Sequence, residues 1–167
     1  MKAALPPALG KQIENDACAL AARVASLLPS SPTLEVKLEI FGGNGCVRWH
    51  QDHYVARAIV SYTGAVATMY TDDSNVNFWE LNHCGHNDCI IKNPQEVYAA
   101  DTGNFLLIKG KTYPAGAKGL VHKSPEIQYH PSGQSVVNRL VLKVDAEYTK
   151  PDAEGYSGLM PAIKCGA

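Results

Sequence analysis

Leu34-Glu35-Val36-Lys37-Leu38-Glu39-Ile40-Phe41 decides the fold class. Aliphatic residues at 34, 36, 38 and 40 alternate with Glu35, Lys37 and Glu39. Successive side chains of a strand point to opposite faces, so this pattern predicts a half-buried strand. Gly42-Gly43-Asn44-Gly45 then predicts a turn. Working outward toward the C-terminus, further strands are predicted at 46–52, 57–63, 67–71, 76–80, 104–109, 119–124 and 135–145. About eight short strands separated by turn signals argue for a β-barrel or a two-sheet jelly roll.

Upstream the period changes. Residues 9–29 place Leu9, Ile13, Ala17, Leu20, Ala21, Val24, Leu27 and Leu28 on one helical face. Pro29-Ser30-Ser31-Pro32 is the stop. A helix ahead of such a strand set is expected to buttress one sheet. Asn82 to Glu96 has weak periodicity and reads as a long connection between strands. The expected organisation is a single domain over 1–167, with an N-terminal helical segment at 1–32, a β core at 33–146 and a tail at 147–167.

The bulk properties narrow the function classes. The chain has 167 residues, 46% hydrophobic and 19% charged, with a formal net charge of −1 and no basic block. No nucleic acid or anionic membrane surface is expected as partner. The apolar stretch at the N-terminus is short and broken by Pro6 and Pro7, so no secretory signal is expected. No run approaches the ~20 apolar residues that span a bilayer. Five cysteines at irregular spacing (Cys18, Cys46, Cys84, Cys89 and Cys165) point to reduced thiols and a cytoplasmic location.

The chemistry is concentrated in Arg48-Trp49-His50-Gln51-Asp52-His53-Tyr54. On a strand, residues i and i+2 share a face, so His50 and Asp52 can converge on one metal ion. A second histidine from a distant strand would complete a two-His, one-carboxylate facial triad, which leaves positions open on non-haem iron. His122, in Gly119-Leu-Val-His-Lys-Ser-Pro125, is the best distal candidate. Arg139 lies in the apolar run Val136-Val-Asn-Arg-Leu-Val-Leu-Lys-Val144. A cation there needs a buried anion, and 2-oxoglutarate could be that anion.

The order HxD, then His, then Arg resembles the Fe(II)/2-oxoglutarate-dependent dioxygenases. His50-Gln-Asp-His, Arg57 and Ser61-Tyr62-Thr-Gly64 look like the HxD strand and the Tyr-bearing strand after it. With Gly103-Asn-Phe-Leu-Leu-Ile-Lys-Gly110, Leu120-Val-His-Lys-Ser-Pro125 and Asn138-Arg-Leu-Val-Leu-Lys-Val-Asp145, the chain is similar to an uncharacterised bacterial and fungal family within that superfamily, over roughly residues 35 to 146. The resemblance implies a double-stranded β-helix (jelly roll, cupin-like), with Fe(II) on His50, Asp52 and His122. It also implies 2-oxoglutarate as cosubstrate, decarboxylated to succinate as an unactivated carbon of a small molecule is oxidised. That substrate is expected to be an amino acid or a natural-product intermediate, and the outcome hydroxylation, desaturation or cyclisation. Many superfamily members place Ser or Thr two residues after the arginine, where this chain has Val141. The gap from His122 to Arg139 is also longer than usual. Arg139 is the first choice of anchor, and these two departures keep Arg57 and Lys109 as alternatives. Tyr62 either reaches the cosubstrate or fills the core.

Other readings compete. His53 falls on the opposite face from the ligand pair and is assigned a structural or supporting role. His83-Cys84-Gly85-His86-Asn87-Asp88-Cys89 has residue types that suit Zn(II). Four ligands seldom converge from one short loop, so a loop at the mouth of the active site is the preferred reading. Two rival functions remain: a cupin-like iron enzyme acting without 2-oxoglutarate, and a non-catalytic β-barrel binding module.

Overall fold

The computed structural model describes residues 5–29, 33–43, 45–114, 116 and 118–146. The expected tail at 147–167 lies outside them. The first element is helix α1 (Pro7–Leu27), opened by a proline at its first position, where no backbone N–H is needed. The strands are β1 (Leu34–Phe41), β2 (Ala56–Ser61), β3 (Val66–Thr71), β4 (Val97–Asp101), β5 (Leu106–Lys109), β6 (Val121–Lys123) and β7 (Arg139–Ala146). Between β3 and β4 lie two short helices, α2 (Phe78–His83) and α3 (Asn87–Ile90).

The protein is mainly β and forms two antiparallel sheets, ordered β1-β7-β2-β5 and β4-β3-β6. The alternation read from residues 34–41 organises the larger sheet. Ala56, Ala58 and Val60 of β2 share one face with Leu142, Val144 and Ala146 of β7. Ala17, Leu20 and Val24 of α1 close that face, so the helix does buttress a sheet. The opposite face carries Arg57, Arg139, Lys143 and Asp145, turned toward the smaller sheet. A second apolar cluster of Trp49, Val76, Leu81, Ile90 and Val121 holds α2 and α3 against β6.

Two predicted strands are absent. Residues 46–52 form no strand; His50 alone makes a bridge, to His122. Residues 76–80 contain one bridge, Val76 to Ile91, and then the start of α2. The Asn77 side chain accepts a hydrogen bond from the Glu80 N–H, and that cap starts a helix where periodicity alone indicated a strand. Strand β4 was not predicted. Cys46, Cys84 and Cys89 carry free thiols, whereas Cys18 is disulfide-bonded, so the expectation of uniformly reduced thiols does not hold. Among the described residues, no helix is long and apolar enough to cross a membrane.

Candidate metal centre

His122 sits on β6, a strand only three residues long, held by β3 on one side. On its other side it exchanges two backbone hydrogen bonds with His50, both at 3.0 Å. This pairing puts the two histidines directly across from each other, with ring centroids 4.4 Å apart. The chain around His50 is irregular, yet the single bridge does the work expected of a whole strand. Asp52 follows two residues later, and His50, Asp52 and His122 form a group that could hold a metal ion.

The imidazoles are oriented for ligation. His50 Nδ1 lies 2.8 Å from the Arg48 carbonyl and His122 Nδ1 lies 3.0 Å from the Leu120 carbonyl. A carbonyl oxygen only accepts, so Nδ1 is the protonated nitrogen of each ring and Nε2 carries the lone pair. The two Nε2 atoms face Asp52, at 3.8 Å from Oδ1 and 3.6 Å from Oδ2. These separations are too long for hydrogen bonds and slightly wider than the ~3 Å between ligands about 2.1 Å from one metal. Burial and the neighbouring His50 together push His122 below the ordinary histidine pKa, which keeps it neutral, the form that binds metal.

Arg57 holds the carboxylate. Its Nη1 donates to Asp52 Oδ2 at 2.9 Å, while Nε and Nη2 donate to Asp145 at 2.6 and 3.1 Å. The bidentate pair follows from register, since Arg57 and Asp145 are cross-strand partners on β2 and β7. Asp145 is fully buried and also faces Lys37 at 3.6 Å. Burial works to lower the Arg57 pKa, but the bond to Asp145 and the charges of Asp52 and Asp145 raise it above its ordinary value. Arg57 is thus committed to two carboxylates. It orients Asp52, and the alternative in which it anchors a cosubstrate does not fit.

A cavity of about 180 Å³ lies between the sheets. Its walls include Ile59, Arg139 and Val141 from the larger sheet and Thr68 and His122 from the smaller one. His50 borders it with a third of its side chain exposed (33%), against 6% for His122, so the centre is approached from the His50 side. Three other cations line the cavity, and each has a carboxylate: Arg57 with Asp145, Lys123 with Glu126, and Lys143 with Glu39. Arg139 is buried and has no carboxylate partner among the described residues. Its Nη1 donates to the Ala67 carbonyl at 2.7 Å, its guanidinium lies over Phe41, and burial lowers its pKa. Gly64 makes room for it: φ is +99° there, and an added Cβ would come within 3.0 Å of Arg139 Cγ.

The remaining candidates lie elsewhere. Tyr62 does not reach the cavity. It packs with the α1 cluster, and its hydroxyl donates to Asp16 at 2.8 Å, because the residues beside it in β2 alternate and this position faces the helix. Lys109 is exposed and sits over the Tyr113 ring. His53 is exposed. Trp49 and Phe78 belong to the second core, as core packing predicts, while Trp79 is exposed and stacks on His83. Sequence reasoning missed Asp145 and Ser61. Ser61 is fully buried, its hydroxyl has no partner among the described residues, and it stands directly across from Val141. Only the β2–β7 register reveals it.

No curated protein and no solved structure matches the chain. A family model does: that of DUF1826, a family of proteins of unknown function, matches residues 2–145. The match takes in both histidines, Asp52, Arg57, Arg139 and Asp145, and the chain belongs to that family.

Proposed function

We propose that this protein is a non-haem Fe(II)/2-oxoglutarate-dependent oxygenase on a double-stranded β-helix, acting on a small molecule. The observation that carries the reading is Arg139, a buried cation without a carboxylate partner among the described residues, lining the same cavity as His50 and His122. A buried cation calls for an anion. A dicarboxylate that reaches a metal with one end and a guanidinium with the other answers both demands. The donor set fits iron: two imidazoles and one carboxylate suit a facial triad with open positions.

Ferrous iron and 2-oxoglutarate, held by these residues, would supply activation of dioxygen, one oxygen atom entering succinate as carbon dioxide leaves 2-oxoglutarate and the other serving to oxidise a C–H bond. The chain's own contributions are positional. The Arg48 and Leu120 carbonyls aim the two Nε2 atoms, and Arg57 fixes the Asp52 carboxylate. Arg139 would pair with the far carboxylate of the cosubstrate. Ser61 supplies a hydroxyl across the strands from Val141, the position where many members of the oxygenase superfamily that the chain resembles carry Ser or Thr. At about 180 Å³ the cavity is below the ~300–1,000 Å³ of clefts for drug-sized ligands. It therefore suits the cosubstrate, and the substrate would be met at the His50 side.

Anaerobic titration of the Fe(II)-loaded protein with 2-oxoglutarate tests the proposal. A visible charge-transfer band should appear, and succinate should form once air is admitted. Arg139→Met should weaken 2-oxoglutarate binding at least about tenfold while iron stays bound. Stoichiometric iron with no band at saturating 2-oxoglutarate would favour an enzyme in which the substrate itself chelates the metal. Absence of iron binding would leave a binding module.

A further inference from the structure

Away from the cavity, the segment between β3 and β4 gathers a second set of metal-binding atoms. One carboxylate oxygen of Glu80 and the sulfurs of Cys84 and Cys89 all lie within 4.8 Å of one another. Glu80 and Cys84 are four residues apart at the end of α2, a spacing that puts both on one side of the helix. Cys89 comes from α3. Both cysteines carry free thiols. The Cys84 sulfur accepts a hydrogen bond from the His86 backbone N–H at 3.3 Å. Two thiolates on one tetrahedral zinc sit about 3.8 Å apart, so closing the cluster on a cation needs shifts of about 1 Å or less.

We infer that Glu80, Cys84 and Cys89 form a second metal site, suited to a thiophilic divalent cation of the zinc type and independent of the His50–Asp52–His122 centre. Neither neighbouring histidine completes it. His83 is stacked on Trp79 with Nδ1 against the Trp79 carbonyl, and His86 is exposed and offers the cluster its backbone. The third ligand comes from the helix upstream of the cysteine loop. With Cys89 exposed, the fourth vertex opens to solvent.

The site has a mechanical consequence. Helices of six and four residues are too short to stand alone. Here they are tied to the chain that carries His50. Arg48 Nη2 donates to the Cys84 carbonyl at 2.6 Å, and the Asn87 side chain bonds both the Val47 carbonyl and the Trp49 N–H. A cation joining α2 to α3 would stiffen the support of the first histidine of the other centre.

Co(II) is the probe, because thiolate ligation gives it an intense near-ultraviolet charge-transfer band that imidazole and carboxylate ligation does not. The full-length, reduced protein should take up one thiolate-ligated Co(II), and Zn(II) should erase the band stoichiometrically. Removing an outer partner of a ligand already costs about 10–100-fold in metal affinity, so Glu80→Gln should weaken binding at least about tenfold. Cys89→Ser should abolish the two-thiolate band; the residue is exposed, and circular dichroism confirms that the variant folds. His122→Ala should keep the band, which separates this site from the oxygenase centre. The inference is overturned if reduced protein shows no thiolate band, if the band survives in Cys89→Ser, or if it disappears in His122→Ala.

Discussion

The two faces of the four-stranded sheet are made by the same strands and do opposite jobs. Toward α1, alternate residues of β2 and β7 are Ala58, Val60, Leu142 and Val144, a hydrocarbon surface with no demand for direction. Toward the smaller sheet, the intervening residues include Arg57, Arg139, Lys143 and Asp145, which work only in particular geometries. Hydrophobic burial is non-directional and sets which way the strands turn. Buried ion pairs add little net stability and are costly to break, so they fix where Asp52 points more than they hold the fold together. The strand period links the two faces, since a one-residue slip would exchange them.

The sharpest way to break this division is Arg57→Met. It leaves Asp145 buried without its bidentate partner, and removing one member of a buried pair costs about 3–5 kcal/mol. Urea unfolding should show that loss, and Fe(II) affinity should fall with it because Asp52 loses its support. Leu142→Ala, on the other face of β7, should cost about 2–5 kcal/mol through the cavity it leaves. The folded fraction of that variant should bind Fe(II) as the native protein does. An equal loss of iron affinity would mean that the faces are not separable.

Smaller effects sharpen the comparison. Ser61→Ala should leave iron binding unchanged and weaken 2-oxoglutarate binding by about 0.5–1.5 kcal/mol, the worth of one hydrogen bond. An unchanged cosubstrate affinity would remove Ser61 from the site. The smallest expected effect is on pH dependence. The unfolded chain takes up a proton near the ordinary histidine value of 6.5, whereas folded His122 resists protonation to lower pH. The unfolded state therefore binds more protons in that window. Stability of the metal-free protein should fall as pH drops through about 6.5, and flatten below the folded pKa. The urea midpoint of His122→Asn should slope less over the same range.

Much of this was legible in the sequence where one period runs unbroken. Residues 34–41 form β1 with the predicted bounds, and the buried residues of α1 are Ile13, Ala17, Leu20 and Val24, all on the predicted face. The metal-ligand candidates were legible from residue type and spacing, although the strand expected to carry His50 and Asp52 is a single bridge. What could not be read depends on cross-strand register. Arg57 meets Asp145 only because β2 and β7 pair as they do, and nothing local to Arg57 signals that it is already committed. The helix at 78–83 was readable in principle, since Asn77 with Glu80 three residues later is a capping pattern. The same missed helix hid Glu80 from Cys84 and Cys89. Strand β4 escaped because Ala99 and Ala100 carry little β-propensity, and its place at the edge of its sheet is a tertiary fact.

The central claim is that His50, Asp52 and His122 share one metal ion. X-ray absorption on the protein loaded with one equivalent of Fe(II) tests it most directly, with His122→Ala measured alongside. The account predicts a first shell of nitrogen and oxygen only, with multiple-scattering features of two imidazoles in the native protein and of one or none in the variant. A sulfur shell, or a spectrum that His122→Ala leaves unchanged, would contradict it.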